Sequence, residues 1–302
     1  MSKEIKCDVL VIGAGPAGSS AARTVAKEGL NVIIADKKER PGKVACAEVI
    51  SEALLRYLPF QIPSKLLRHK MRGIKFYYKD ICIKREGDIW WKSIAINRDE
   101  FDPFMLDLAV KEGASYLPLT ELVDIRCDSS FKECKVLLFD KKKEEHVCVY
   151  PKILIAGDGV CSPTLGKIDK LRDDKKYVIG YIKSHEFQEI DLPDADYGHV
   201  YFGEFADGAY GYIFPKSKKT ANIGVATLSD KDLEKNYNDF LSLIKDKVER
   251  GIKTVDRSGK APVRDLSDDI TYGSIMFVGD AANQNLKPFV EGILPGVICG
   301  FI

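Results

Sequence analysis

Short apolar runs closed by glycine or an acid mark both ends of the chain, whereas alternating apolar and polar positions mark its middle. Val9 to Ile12 is a continuous apolar run, the pattern of a strand buried on both faces. Ser19 to Glu28 follows with helical character and stops at Gly29, and a second apolar run, Val32 to Ala35, closes on Asp36. Beyond the turn Arg40-Pro41-Gly42, Ser51 to Leu58 reads as a helix. Gly73 to Tyr78, Ile81 to Lys84 and Trp90 to Ile96 read as strands rich in aromatic and β-branched residues. A helix runs from the Arg98 segment to Glu112 and stops at Gly113. Strands follow at Leu122 to Cys127, Lys135 to Phe139, His146 to Tyr150 and Ile153 to Ala156. Tyr177 to Leu228 is mostly strand, Lys231 to Glu249 an amphipathic helix, and Ile275 to Val278 a short strand. The fold class is therefore α/β at both ends with a strand-rich middle.

The first of these patterns carries chemistry. Between the first strand and the first helix stands Gly13-Ala14-Gly15-Pro16-Ala17-Gly18. In such a βαβ unit Gly13 permits the tight turn, Gly15 lets the backbone approach a pyrophosphate, and Gly18 lets the helix pack close to the sheet. The helix N-terminus turns its free N–H groups toward the phosphates, and Asp36 stands where a carboxylate accepts from a ribose hydroxyl. Ile153 to Ala156 and Ile275 to Val278 also end in glycine-aspartate, at Gly157-Asp158-Gly159 and Gly279-Asp280. Ligands of open α/β sheets bind beyond the carboxyl ends of the strands, so the three strand ends predict one extended dinucleotide held by a discontinuous Rossmann-like domain. That domain is expected at 1–65, 98–168 and 263–302, with an inserted antiparallel β-sheet substrate domain at 66–97 and 169–262. The position of Asp280 favours FAD over NAD, because an acid there accepts from a ribityl hydroxyl and a helix beginning near Ala281 points its positive end at the flavin pyrimidine. The competing reading is that Asp280 only caps that helix.

The chain has 302 residues, is 45% hydrophobic and 30% charged, and carries a net charge of +1. Such a balance gives no global pull toward nucleic acid or an anionic membrane. No apolar stretch is long enough to span a bilayer and no secretory signal is visible, so a cytoplasmic location is expected. The eight cysteines contain no CxxC pair, and with four scattered histidines they offer no metal-ligand spacing. Most are expected to be buried thiols in a reducing compartment.

Together, the GAGPAG unit with Asp36, the Arg98 segment, the GDG at 157–159 and the GDAA at 279–282 resemble an FAD-dependent group that includes the aromatic hydroxylases and the geranylgeranyl reductases. The resemblance implies that Arg98 reaches the adenine-side ribose or pyrophosphate, that Asp158 contacts FAD, and that Gly279 and Asp280 hold the ribityl chain. Tyr210-Gly211-Tyr212-Ile213-Phe214-Pro215-Lys216, followed by Ala221-Asn222-Ile223-Gly224-Val225, is similar to the YxWxFPK segment and following strand of geranylgeranyl reductases, with Tyr212 replacing the tryptophan. By that resemblance Tyr210, Tyr212, Phe214 and Pro215 line an isoprenoid cavity. Aromatic side chains at alternate positions share one face and accept an apolar polyene without polar partners; read on periodicity alone, the same strand is an ordinary half-buried one. The segment around Cys46 is similar to the family's cysteine-containing segment beside the isoalloxazine. It leaves Cys46, Tyr212 and water as open choices for proton donor, and a redox pair of Cys46 with Cys299 as a further hypothesis.

Pro288 and Gly292-Ile293 match the family's late loop, whereas Asn283 and Val290-Glu291 replace small residues. The chain stops at Ile302 inside an apolar run, and the family's C-terminal region is expected to be absent. The resemblance implies an FAD-dependent reductase of geranylgeranyl C=C bonds, of the digeranylgeranylglycerophospholipid reductase-like type, meeting the membrane peripherally. Its partners would be an isoprenoid lipid and an electron donor such as NAD(P)H or ferredoxin. The alternatives are an aromatic monooxygenase and a non-catalytic protein that binds FAD or lipid.

Overall fold

A computed structural model describes residues 3–168, 179–206, 208–264, 266 and 269–302. In chain order the elements begin with β1 (Lys3–Ile12), α1 (Pro16–Lys27), β2 (Val32–Ala35), β3 (Val49–Ser51), β4 (Leu67–Met71), β5 (Gly73–Tyr78), β6 (Ile81–Glu86) and β7 (Ser93–Ile96). Next come α2 (Arg98–Lys111), β8 (Ser115–Leu117), β9 (Thr120–Cys127), β10 (Cys134–Asp140), β11 (Glu145–Ala156) and α3 (Pro163–Lys167). The last third holds β12 (Ile179–Gln188), β13 (Tyr197–Phe202), β14 (Gly211–Pro215), β15 (Thr220–Thr227), α4 (Leu233–Leu243), α5 (Lys245–Val248), β16 (Ile252–Pro262), β17 (Thr271–Tyr272), β18 (Ile275–Phe277) and α6 (Ile293–Phe301). The expected strand start at Tyr177 and the domain boundary at 169 fall outside the described residues.

Two compact units emerge. The first comprises Met1–Gly42, Asp99–Tyr177 and Pro262–Ile302. Its sheet runs β17-β18-β11-β1-β2-β8, with β10 and β9 added beside β11, and β18, β11, β1, β2 and β8 are parallel neighbours. Leu10 and Ile12 enter one apolar cluster, while Val9 and Val11 enter another with Ala21, Ala22, Leu106 and Ala109 of α1 and α2. Burial on both faces accounts for the unbroken apolar run in the sequence.

The strands expected at His146 to Tyr150 and Ile153 to Ala156 are one strand. Its first half pairs with β10 and its last three residues with β18, while β1 runs alongside throughout. Pro151, which has no N–H to donate, sits where one outer partner gives way to the other. Cys127 and Cys134 lie opposite each other in the β9–β10 register and form a disulfide. Most cysteines are expected as buried thiols, and this pair departs from that because an antiparallel register brings together cysteines whose spacing carries no motif; Cys82 and Cys161 depart from it by being exposed. Cys46 and Cys299 are both free.

On the Val9 and Val11 side of β1, α6 packs on α1 through small residues. Added Cβ atoms on Gly296 and Gly300 would come within 3.2 Å of the Ala17 Cβ and 2.6 Å of the Ala17 carbonyl oxygen. The Ser20 hydroxyl donates to the Val297 carbonyl at 2.7 Å.

The second unit comprises Lys43–Arg98 and Val178–Ala261, so residues 43–65, expected with the dinucleotide domain, cluster with the strands instead. Its larger sheet runs β16-β12-β15-β14-β13-β5-β6. The pairs β12–β15, β15–β14, β14–β13 and β5–β6 are antiparallel, but β13 and β5 are parallel, an exception to the expected antiparallel sheet. A smaller antiparallel sheet runs β3-β7-β4. Ile213 of β14 packs on Phe240 of α4, whereas Tyr212 and Phe214 face Met71 and Ala95 of the small sheet. Both faces of β14 are thus covered. Trp90 and Trp91 belong to a 3-10 turn rather than to the strand expected there, and the helix expected over 231–249 is broken into α4 and α5.

Candidate functional site

The glycine turn in the first unit is a matter of clearance. Gly13 has φ +99°, and a Cβ there would lie 2.3 Å from the Gly157 carbonyl oxygen; one on Gly18 would lie 2.0 Å from the Gly13 carbonyl oxygen. These positions therefore bring the turn, α1 and the end of β11 together. Gly15 is different, because a Cβ there would meet nothing within 4 Å. It precedes α1, whose N-terminus has Pro16 at its start, no side-chain cap and no acid in its first turn, so its leading N–H groups are left for an anion. Ala17, expected at the cofactor, has its side chain against Gly279 and Gly296.

Asp36 ties this turn to the end of β2. Its Oδ2 accepts from the Ala14 N–H at 2.7 Å and its Oδ1 from the Lys38 N–H at 2.8 Å. A carboxylate has about four lone-pair sites, so ribose hydroxyls can still be accepted. Asp158 follows β11. Its Oδ2 accepts from the Thr164 N–H at 2.8 Å, while its Oδ1 is buried and has no hydrogen-bond partner. Burial pushes this carboxyl above its ordinary range, against the hydrogen bond from Thr164. The open face at Gly15 and the orphaned Asp158 oxygen fit a nucleotide that brings a pyrophosphate and donor groups.

At the third strand end, Gly279 has φ +70° and its N–H donates to Gln284 Oε1 at 2.7 Å. Gly279–Ala282 is one 3-10 turn, so the helix expected from Ala281 is absent and the next regular helix is α6. Gly292 is the N-cap of α6, and a Cβ on it would lie 3.0 Å from Asp280 Oδ1. Gly292 and Ile293 therefore place the start of α6 beside Asp280. Glu291, which sequence reasoning marked only as a departure, accepts from the Leu294 N–H at 3.1 Å through Oε1, while its Oε2 is buried without a partner. Burial pushes its carboxyl up to about 7.

A second cluster lies wholly within the other unit. Cys46 is half-buried, and its sulfur accepts from the Glu48 N–H at 3.3 Å. Burial pushes the thiol up, with the Arg98 guanidinium pulling against it. Glu48, at φ +58°, accepts from the Arg98 N–H at 2.9 Å, from Asn222 Nδ2 at 3.1 Å and from Lys216 Nζ at 2.6 Å. Asn222 Nδ2 also donates to the Cys46 carbonyl at 2.7 Å, and Lys216 also pairs with Glu186 at 2.7 Å. Charge on Cys46 would raise Tyr210 and Tyr212, whose phenols burial already pushes up. The expected catalytic pair, Cys46 and Tyr212, is thus brought together.

Tyr212 stacks on Phe214 at 5.2 Å and meets Tyr210 edge-on at 6.4 Å. Tyr212 and Phe214 are only 2% and 8% exposed, and Pro215 closes β14 opposite Ala221. A Cβ on Gly224 would fall 2.5 Å from the Tyr212 hydroxyl, so that glycine makes room for the ring. Glu48 is the functional candidate that sequence reasoning missed; its signal was proximity to Cys46. Among the described residues no cluster of His, Cys, Asp and Glu is arranged to hold a metal.

Glycine cradle and strand-end acids together define a flavin-nucleotide-binding protein, and residues 6–285 match the family described as FAD binding domain. Digeranylgeranylglycerophospholipid reductase of Picrophilus torridus is 31% identical over 98% of this chain and 76% of its own length. Its namesake in Methanocaldococcus jannaschii is 28% identical over 98% and 75%. A geranylgeranyl bacteriochlorophyll reductase-like structure from Thermoplasma acidophilum superposes with a TM-score of 0.86 at 24% identity, covering 99% of this chain and 77% of that one. The flavin-dependent brominase Bmp2 shares the fold at a TM-score of 0.78 and 17% identity, over 98% and 77%. The chain belongs to the FAD binding domain family and, within it, to the digeranylgeranylglycerophospholipid reductases. It is an FAD-dependent oxidoreductase.

Proposed function

We propose that this chain saturates C=C bonds of geranylgeranyl chains carried on glycerophospholipids. The observation that carries the reading is Cys46, a thiol kept protonated by burial and fixed in a hydrogen-bonded cage next to the buried Tyr212 and the half-buried Tyr210. Gly13, Gly15, Gly18 and Asp36 would hold the adenosine end and pyrophosphate of FAD, with Ala17 backing the turn and Arg98 reaching the same end. Asp158, Gly279, Asp280, Gly292 and Ile293 would hold the remainder. Bound and reduced, FAD would supply a hydride, one hydrogen together with its electron pair, to one alkene carbon, while the proton goes to the other.

The protein's own part is to orient the alkene, exclude water and provide a proton. Tyr210, Tyr212, Phe214 and Pro215 would form the apolar wall against which the chain lies. A thiol held above its ordinary range retains its proton at neutral pH and can release it to a carbon that gains negative charge. Lys216 and Asn222 hold Glu48, and Glu48 and Asn222 hold the Cys46 segment, so the donor enters each turnover in one position. No helix among the described residues is long and apolar enough to cross a membrane, and a membrane-lipid substrate would be met from the surface.

The test is anaerobic incubation of FAD-loaded, chemically reduced protein with a geranylgeranyl glycerophospholipid, read by mass. We expect two hydrogens gained per bond, and a rate roughly 100-fold lower in Cys46→Ser, the scale of a lost general acid. Unchanged lipid, with NAD(P)H oxidation accelerated instead by an aromatic compound, would establish the monooxygenase reading.

A further inference from the structure

In the second unit the aromatic wall continues to the edge of its sheet. Directly paired residues of neighbouring strands share a face. Tyr212 pairs with Val200 of β13, Val200 with Phe76 of β5, and Phe76 with Ile83 of β6. These side chains form one row across four strands. A second row beside it joins Phe202, Tyr78 and Ile81, and Tyr210 meets Phe202 edge-on at 6.5 Å. Burial changes along the first row: Tyr212 and Val200 are buried, Phe76 is half-buried and Ile83 is exposed. The turn Ile89–Trp91 adjoins the same face, because Trp91 meets Phe76 edge-on at 6.1 Å. Tyr57, Tyr78, Ile81, Ile83, Trp90 and Phe202 are between 41% and 59% exposed. A contiguous exposed apolar surface, unlike scattered single residues, marks an interaction site.

We propose that this surface docks on a lipid bilayer carrying anionic glycerophospholipids, and that the row from Ile83 to Tyr212 guides the prenyl chain inward. The inference rests on the prenyl-lipid reductase reading. Cations fringe the surface on its ring faces. Lys79 Nζ lies 5.4 Å from the centre of the Tyr78 ring, and the Arg56 guanidinium lies 5.3 Å from that of Tyr57 and 5.7 Å from that of Trp90. A cation so placed keeps its charge and its outward donors. Alternation along β6 puts Arg85 on the face of Ile81 and Ile83. Glu86 lies on the opposite face and pairs with Lys84 at 2.7 Å, Asp88 accepts from the Trp90 N–H at 3.0 Å, and Asp80 stands in the turn between β5 and β6. Residues 64–92 hold nine Lys and Arg against three Asp and Glu, in a chain of net charge +1. Exposed tryptophan and tyrosine with a basic fringe fit the boundary between headgroups and acyl chains. A second copy of the chain fits poorly, because a two-fold contact would set this positive segment against itself. The row spans three inter-strand steps, roughly 14 Å at about 4.8 Å each. One leaflet of hydrocarbon is about 15 Å deep, so a prenyl chain can reach Tyr212 while its headgroup stays at the bilayer surface.

Both tryptophans of the chain, Trp90 and Trp91, lie in this turn, so their fluorescence reports on the surface itself. FAD-loaded protein is mixed with vesicles of phosphatidylcholine, with and without an equal part of phosphatidylglycerol, lipids that carry no prenyl chain. We expect sedimentation with the mixed vesicles that weakens with salt, and tryptophan emission quenched by lipids brominated on their acyl chains. Lys79→Gln/Arg85→Gln should lower the vesicle affinity roughly thirtyfold, because two cations near an anionic surface are lost. Ile81→Ser/Ile83→Ser should lower it roughly tenfold or more through lost apolar burial. All four positions are exposed, and should one pair unfold, the other decides. Turnover of a geranylgeranyl glycerophospholipid embedded in vesicles should fall further in both variants than turnover of the same lipid dispersed in detergent. Absent sedimentation, sedimentation without bromolipid quenching, or equal affinity in the variants would overturn the proposal, as would a dimer that the same substitutions dissociate. If vesicles bind but no lipid is reduced, the reductase reading falls while the docking surface stands.

Discussion

Glu291 shows how much one buried carboxyl can weigh. Its native pKa of about 7 lies above the ordinary 4.5, so between those values the folded chain binds more protons than the unfolded one. Stability then falls as pH rises through this window and stays lowered above it. In FAD-free protein, Glu291→Gln should leave unfolding near pH 4 little changed. It should stabilise the fold above pH 7 by up to about 3 kcal/mol, read as a difference between two urea titrations. An equal effect at both pH values would show that ionisation is not the cause. The sequence exposed Glu291 only as a bulky residue in a loop of small ones; its burial depends on packing that no local pattern records. The cage around Cys46 divides in the same way. Cys46, Tyr210 and Tyr212 stood in recognisable segments, but the bonds from Asn222 and Lys216 to Glu48 span more than 160 positions and became visible only in the fold.

Elements were legible where a run had one environment along its length and illegible where the environment changed. β2, buried throughout, was read to its ends, whereas β1 was read only over its buried half, Val9 to Ile12, because Glu4 and Lys6 are exposed and break the apolar run before it. β11 was read as two strands because its outer partner changes from β10 to β18 near Pro151. The helix expected at Ala281 failed because Asn283 takes a left-handed conformation, φ +56°, and closes the turn after one round. The α1–α6 seam had a readable sign, Gly296 and Gly300 four residues apart, which lie on one helical face. A side chain at position 300 would strike the Ala17 carbonyl oxygen and Ser20. Gly300→Leu should therefore cost about 2 kcal/mol, measured by denaturant unfolding. A loss below a few tenths would mean that α6 moves away freely.

At the scale of the whole molecule, the sequence disclosed a discontinuous nucleotide unit because three strand ends carried glycine and acid. It did not disclose that residues 43–65 join the strands, nor that β13 pairs in parallel with β5 across more than 120 positions. Hydrophobic alternation identifies a strand but not its neighbour. FAD at about 100 times its dissociation constant should stabilise the fold by about 2.7 kcal/mol. The accompanying hydrogen-exchange protection should be strongest in the segments after Ile12, Ala156 and Val278. Gly15→Ala should lose that protection while leaving FAD-free stability within about 0.5 kcal/mol, since its Cβ meets nothing and its φ of −64° suits any residue. Protection concentrated in β12–β15 instead would refute the assignment of the nucleotide to the first unit.

The contact between Tyr212 and Gly224 binds the history of two positions together. The phenol occupies space that any side chain at 224 would claim. A lineage that enlarges residue 224 must first shrink or reorient residue 212, and a lineage that widens the ring at 212 must keep 224 bare. The two positions can diverge only as a pair, so the shape of the aromatic wall is inherited through a residue that contributes no side chain to it.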